Sequence, residues 1–78
     1  MKVVEHERVV RYLHERGLME QYKKAKNLIR EGLFHSVQLK KRQPKTGGIW
    51  YFRITRKFRA LCLRTGGTLI VFEIDDHQ

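Results

Sequence analysis

Apolar side chains recur at helical spacing in the first part of the chain. Two stretches, at about residues 5–16 and 18–31, each carry a single apolar stripe. The stripes comprise Val9, Val10 and Leu13 in the first stretch and Leu18, Tyr22, Ala25 and Ile29 in the second. Gly17 and Gly32 follow the two stretches, and glycine is favoured just beyond a helix C-terminus. The pattern predicts a tight helical hairpin that must bury its stripes against another layer.

Beyond Gly32 the pattern changes to alternation and to short runs of branched and aromatic residues, which are typical of strands. Strands are predicted at 33–39, 49–54, 58–64 and 69–74, whereas residues 1–4 form either a short strand or the lead into the first helix. Pro44 and two Gly-Gly pairs mark the turns. The expected fold is α+β, an N-terminal helical hairpin packed on a twisted antiparallel sheet of three to four strands. Residues 1–78 are expected to form a single domain.

The alternation of side chains between the two faces of a sheet fixes the turn of the central hairpin, which joins the predicted strands at 49–54 and 58–64. A two-residue turn would set Ile54 opposite Arg59 and mix core and charge on one face. A turn of three residues, 55–57, sets Ile54 opposite Phe58 and Arg53 opposite Arg59. Tyr51 then shares the arginine face. The opposite face collects Trp50, Phe52, Ile54, Phe58, Ala60 and Cys62.

Two arginines directly opposite one another repel unless an anion lies between them. Their planar, multiply donating guanidinium groups suit an oxyanion such as phosphate. The alternative is that each arginine pairs with Glu73, Asp75 or Asp76 near the C-terminus. The parity argument therefore predicts a candidate phosphate site at Arg53 and Arg59.

Charge along the chain supports an anionic partner. The formal net charge is +9, and residues 40–64 alone carry nine basic side chains and no acidic one. A nucleic acid is the expected partner, and an acidic protein or a membrane surface is the alternative. A basic surface that serves only solubility is a further possibility.

Several other chemistries find no support in the sequence. The four histidines lack paired-ligand spacing and Cys62 is the only cysteine, so neither a metal site nor a disulfide is expected, and no cofactor is implied. The longest apolar run, residues 69–72, is too short for a membrane span. With no secretion signal recognisable, we expect a cytoplasmic protein. His77, beside two acids, is a candidate for proton transfer, or else an ordinary histidine of a frayed tail.

The stretch IWYFRITRKFRAL, the short strand after it and the Asp-His ending resemble the RelE/ParE superfamily of bacterial toxins. The RelE-, YoeB- and HigB-like mRNA interferases of type II toxin-antitoxin systems are the most similar members. The resemblance covers about residues 9–78, because the two leading helices also match the family's order. It is carried by Lys40, Lys41, Gly48, Trp50, Arg53, Ile54, Arg59, Gly66, Gly67 and His77.

The resemblance implies a RelE-like fold of the microbial-ribonuclease type and a metal-independent endoribonuclease. Such an enzyme enters the A site of the 70S ribosome, cuts mRNA there and inhibits translation. A cognate antitoxin would hold it inactive in a hetero-oligomer, and a groove between the basic sheet and the helices is expected to accept the antitoxin's helix. A ParE-like toxin that inhibits DNA gyrase without nuclease activity, and a catalytically weak RNA-binding relative, are the alternatives.

The resemblance also assigns roles by position. Arg59 would be the main phosphate stabiliser, Arg53 a second one and His77 the general acid or base. Lys40, Lys41 or Arg42 would fill the role of the basic loop, which spans residues 40–48. Further RNA contacts are expected from Arg42, Lys45, Tyr51, Arg56, Lys57 and Arg64. The sequence departs from the family at three points: no carboxylate lies between Glu31 and Glu73, Gln78 replaces the frequent terminal tyrosine, and the usual first strand is reduced to a few residues.

Overall fold

Two α-helices and five strands build the described part of the fold. The structure is a computed structural model and describes residues 1–76, except for the side chain of Lys45. One sheet contains all five strands, in the order β1-β5-β4-β3-β2. The elements are β1 (Lys2–Glu5), α1 (Glu7–Glu15), α2 (Met19–Arg30), β2 (Lys40–Lys41), β3 (Ile49–Arg53), β4 (Phe58–Thr65) and β5 (Thr68–Asp76). The α+β class predicted from the hydrophobic pattern is confirmed.

Both helices end in the same hydrogen-bonded motif. After α1, Gly17 takes a φ of 68°, and the Leu18 N–H donates to the Leu13 carbonyl at 2.8 Å. After α2, Gly32 takes a φ of 81°, and the Leu33 N–H donates to the Leu28 carbonyl at 2.8 Å. This is the Schellman arrangement, which favours glycine because the left-handed conformation is costly for residues that carry a Cβ. The predicted C-terminal ends of both helices are confirmed, whereas the predicted start of the first helix at about residue 5 is wrong, because Glu5 belongs to β1 and α1 begins at Glu7.

Both helices pack against one side of the sheet, which we call the helix face. A single core joins the apolar stripes of α1 and α2 to this face, and the predicted stripe residues Leu13, Tyr22 and Ile29 are almost fully buried. The strand side chains in the core are Val3, Phe52, Ala60, Cys62, Leu69, Val71 and Ile74. No helix of residues 1–76 contributes to the other side of the sheet, which we call the open face.

The sheet is mixed and larger than predicted. The prediction of an antiparallel sheet of three to four strands is wrong, because β1 adds a fifth strand that runs parallel to β5. Val3 pairs with Leu69, and the Lys2 N–H donates to the Gly67 carbonyl at 2.9 Å. Pairing between the first and last strands gives Val3 a place in the core. The other three strand pairs are antiparallel.

The prediction of a strand at residues 33–39 is also wrong. This segment contains a 3₁₀ turn at Phe34–Val37, and the strand β2 that follows it has only two residues. The chain keeps turning after α2 because the Leu33 carbonyl accepts the Ser36 N–H at 3.2 Å, within the segment itself. Val37 is buried, whereas Leu33 remains 49% exposed, so the alternation of apolar residues does not correspond to one buried face.

Candidate nucleic-acid interface

Arg53 and Arg59 are direct cross-strand partners on the open face. Strands β3 and β4 pair in the register predicted from parity, with Phe52 opposite Ala60 and Arg53 opposite Arg59. Phe52 and Ala60 are fully buried on the helix face. Arg53 follows Phe52 and Arg59 precedes Ala60, so both arginines project from the other face, because successive side chains of a strand alternate between faces. The prediction that the two guanidinium groups share a face is confirmed.

The Arg59 guanidinium is held by an aromatic ring. Its central carbon lies 4.8 Å from the centroid of the Tyr51 ring, as in a cation–π contact. Within residues 1–76, no carboxylate oxygen lies within 4.0 Å of either Arg53 or Arg59. The alternative in which Glu73, Asp75 or Asp76 pairs with these arginines is therefore not realised. Two half-buried cations stand opposite each other with donors free for an anion.

A β-bulge in β5 brings carboxylates onto the same face. Leu61 pairs with Glu73, but Cys62 pairs with Val71, so Phe72 is an extra residue in β5. Beyond the bulge Asp75 stands directly opposite Arg59. The open face thus combines cations that can bind phosphate with carboxylates that can accept a proton.

Sequence reasoning missed Glu73 and Asp75 as members of this site. Regular alternation from Leu69 and Val71 would have directed both carboxylates into the core, where an unpaired charge is costly. That conflict was the signal for a bulge. The change of phase is visible in burial, since Val71 and Ile74 are both buried although three positions separate them.

His77 lies outside the described residues. Regular alternation after the Gly66–Gly67 turn would assign His77 to the face opposite Arg59. The bulge removes that premise, because the odd-numbered positions of β5 change from the helix face at Val71 to the open face at Asp75. The chain is described as far as Asp76, the residue before His77.

The edge strand β2 divides the basic loop between the two faces. Lys40 pairs with Tyr51 and therefore joins the arginines on the open face. Lys41 pairs with Trp50 and lies on the side of the helix face, so the structure does not bring it together with Arg59. Arg42 is exposed, and its N–H donates to the Ile49 carbonyl at 2.6 Å. The side chain of Lys45 lies outside the described part of the chain.

The remaining predicted RNA contacts lie at two other places. Arg64 belongs to the helix side of the sheet, with its guanidinium carbon 5.1 Å from the centroid of the Trp50 ring. Arg56 is exposed in the hairpin turn. Beside it, the Lys57 ammonium lies 3.8 Å from an oxygen of Asp76. Among the predicted site residues whose side chains the structure describes, Tyr51 and Lys40 therefore join Arg53 and Arg59 in one cluster, which we call the open-face cluster.

A shallow cavity separates α2 from the end of the central hairpin. Its volume is about 120 Å³, and Arg53 lines it together with Lys24 and the apolar side chains of Leu28, Val37 and Ile54. The cavity therefore combines basic and apolar side chains.

Two other polar features of the molecule do not belong to a site. Glu5, at the end of β1, accepts hydrogen bonds from the Tyr22 hydroxyl at 2.6 Å and from the Lys26 ammonium at 3.0 Å, and so ties β1 to α2. Cys62 is fully buried, and burial raises the pKa of its thiol to about 12. It is therefore unsuited to act as a nucleophile near neutral pH.

Among residues 1–76, no helix is long and apolar enough to cross a membrane, and no group of His, Cys, Asp or Glu is arranged to hold a metal ion. No model of a known protein family matches the sequence. No curated protein matches it significantly either.

Proposed function

We propose that this protein is a ribosome-dependent mRNA endonuclease of the RelE-like toxin type. The observation that carries the proposal is the Arg53–Arg59 pair, opposed across two strands on the open face with no carboxylate partner in residues 1–76. The resemblance of residues 9–78 to the RelE/ParE superfamily supplies the substrate class. We further propose that a cognate antitoxin occupies the cavity beside Arg53 and keeps the toxin inactive.

The reaction suited to this site uses the RNA's own 2′-hydroxyl as the nucleophile. The 2′-oxygen bonds to phosphorus as its proton passes to a base, and the bond from phosphorus to the 5′-oxygen breaks as that oxygen takes up a proton. The products carry a 2′,3′-cyclic phosphate and a 5′-hydroxyl. Preorganised cations speed such a step because negative charge grows on the phosphate oxygens in the transition state.

The open-face cluster and the neighbouring Asp75 fit the parts of this reaction. Arg59, held by Tyr51, would stabilise the phosphate, with Arg53 as the second cation. Asp75, opposite Arg59, is our candidate for the base, and Lys40 supplies a further positive charge from the edge strand. In this proposal His77 remains the candidate general acid, on the strength of the resemblance alone.

The test is primer extension on an mRNA bound to programmed ribosomes. Wild-type protein is expected to produce cuts at codon spacing. Arg59→Ala should lower the cleavage rate by about 100- to 1000-fold, the usual effect of removing one donor to a developing oxyanion. Asp75→Asn, measured in the same assay, should slow cleavage as well.

The matched control is Arg30→Ala, which removes an exposed arginine from α2 that lies neither in the open-face cluster nor in the lining of the cavity beside Arg53. It should cut like the wild type. Cuts that persist in Arg59→Ala would contradict the role of the arginine pair. No cuts by the wild type, together with inhibition of DNA gyrase, would replace the proposal with a ParE-like function.

A further inference from the structure

A second arginine–aromatic pair lies on the opposite side of the same hairpin. Arg64 stands over the Trp50 ring, with its guanidinium carbon 5.1 Å from the ring centroid. Trp50 packs partly against the core, whereas Arg64 is exposed. Trp50 and Tyr51 are adjacent in β3, so their rings project to opposite faces of the sheet. Each ring therefore carries its own arginine.

The two pairs meet at one edge of the sheet. Only the two-residue strand β2 lies beyond β3, with Lys40 opposite Tyr51 and Lys41 opposite Trp50. Each face of this edge therefore has an aromatic ring, an arginine and a lysine. Within residues 1–76, neither Arg64 nor Lys41 has a carboxylate oxygen within 4.0 Å.

The Arg64 side of this pair faces solvent. Arg64 is exposed, and Trp50 is partly exposed. The basic loop before β3 contributes the exposed cation Arg42. A flat ligand can therefore approach the Arg64 guanidinium from solvent.

We propose that Trp50, Arg64 and Lys41 form a second contact site for single-stranded RNA, separate from the open-face cluster. An unpaired base stacks on the Arg64 guanidinium above Trp50, and Lys41 contacts the adjoining phosphate. Stacking on aromatic rings and arginine planes with flanking cations is the usual way in which proteins hold single strands. One RNA strand then crosses the β2 edge from one face to the other. The inference rests on the proposed function only for its choice of RNA.

Trp50 is the only tryptophan of the chain, so its fluorescence reports on this site alone. The experiment titrates the full-length protein, without ribosomes, with a dye-labelled single-stranded oligouridine of twelve nucleotides. Trp50 emission and the anisotropy of the dye are recorded together. We expect the emission to be quenched in step with binding. Arg64→Gln should weaken binding at least about fivefold, since stacking of one base contributes about 1–3 kcal/mol.

Arg30→Gln is the matched control, because it removes one exposed arginine from α2, and its binding curve should follow the wild type. Binding without any change in Trp50 emission would overturn the inference, as would no binding. Equal quenching by a double-stranded RNA would overturn the stacking of an unpaired base. Quenching by a protein that fails to cut mRNA on ribosomes would support this site while contradicting the proposed function.

Discussion

At the scale of single residues, Glu5 is a carboxylate that two other side chains, Tyr22 and Lys26, hold by hydrogen bonds. Burial would raise the pKa of its carboxyl group, but hydrogen bonds from Tyr22 and Lys26 and the charge of Lys26 outweigh burial and lower it. In return, Glu5 acts on Tyr22: burial raises the pKa of the Tyr22 hydroxyl, and its hydrogen bond to the charged Glu5 carboxylate raises that pKa further. The three side chains hold the parallel edge strand β1 against α2.

Glu5→Gln is therefore expected to destabilise the protein in a pH-dependent way. At pH 7 it should lower the free energy of unfolding by about 2 kcal/mol, since hydrogen bonds to a charged group contribute about that much. A carboxyl group with a lowered folded-state pKa stabilises above its unfolded pKa of about 4.3, and the effect is lost as the pH falls through the folded pKa. Urea unfolding at several pH values should show the wild-type advantage shrinking below about pH 5.

The control for this experiment is Glu15→Gln, an exposed carboxylate at the end of α1 with no ion pair among the described residues. Its difference from the wild type should stay within about 0.5 kcal/mol at all pH values. A wild-type advantage over Glu5→Gln that stays constant down to pH 3 would mean that Glu5 acts through packing and not through its charge.

At the scale of secondary-structure elements, local sequence patterns predicted the features that are determined by residues close together in the chain. The ends of both helices followed from Gly17 and Gly32, and the register of the central hairpin followed from the parity of Arg53 and Arg59. Contacts between distant segments were not predictable in this way. The pairing of β1 with β5 joins the two ends of the described chain, and no periodicity in residues 1–4 distinguishes a strand from a helix lead.

Two errors in the elements have physical causes. The alternation at 33–39 predicted a strand, but hydrogen bonds within the segment keep the chain turning after α2. The uninterrupted apolar run at residues 69–72 hid the bulge at Phe72, because every position there is apolar and the phase cannot be seen. The consequence falls on the candidate site, because regular alternation would direct Glu73 and Asp75 to the helix face, away from Arg59.

The bulge predicts that truncating Ile74 costs more stability than truncating Asp75, whereas a regular strand would predict the opposite order. Ile74 is 7% exposed and belongs to the core, so Ile74→Ala should cost about 2–5 kcal/mol of unfolding free energy, as for other large-to-small changes in a core. Asp75→Ala, on the open face, should change stability by less than about 0.5 kcal/mol. Chemical denaturation of the two variants checks this. A loss of stability for Asp75→Ala that exceeds the loss for Ile74→Ala would mean that the aspartate lies in the core and that β5 has no bulge.

At the scale of the whole molecule, charge is separated across the sheet. The strands β2, β3 and β4 carry Lys40, Lys41, Arg53, Arg59 and Arg64 and no acidic residue. Strand β5, which lies next to β4 on the side away from β3, carries Glu73, Asp75 and Asp76 and no basic residue. An anionic polymer is therefore attracted to the β2 edge, where both arginine–aromatic pairs lie, and is repelled by the end of β5.

This separation predicts a steep and localised salt dependence of RNA binding. Each cation that neutralises a phosphate of a single strand adds about 0.7 to the slope of log affinity against log salt concentration, because bound counterions are released. Lys40→Gln, on the open face beside Tyr51, should therefore reduce the slope for single-stranded RNA by about 0.7. Lys23→Gln, exposed on α2, removes the same charge away from the β2 edge and should leave the slope unchanged. Anisotropy titrations at four or more salt concentrations give the slopes. Equal reductions in both variants would mean that RNA responds only to the net charge of +9, and a flat profile for the wild type would exclude the β2 edge as the binding surface.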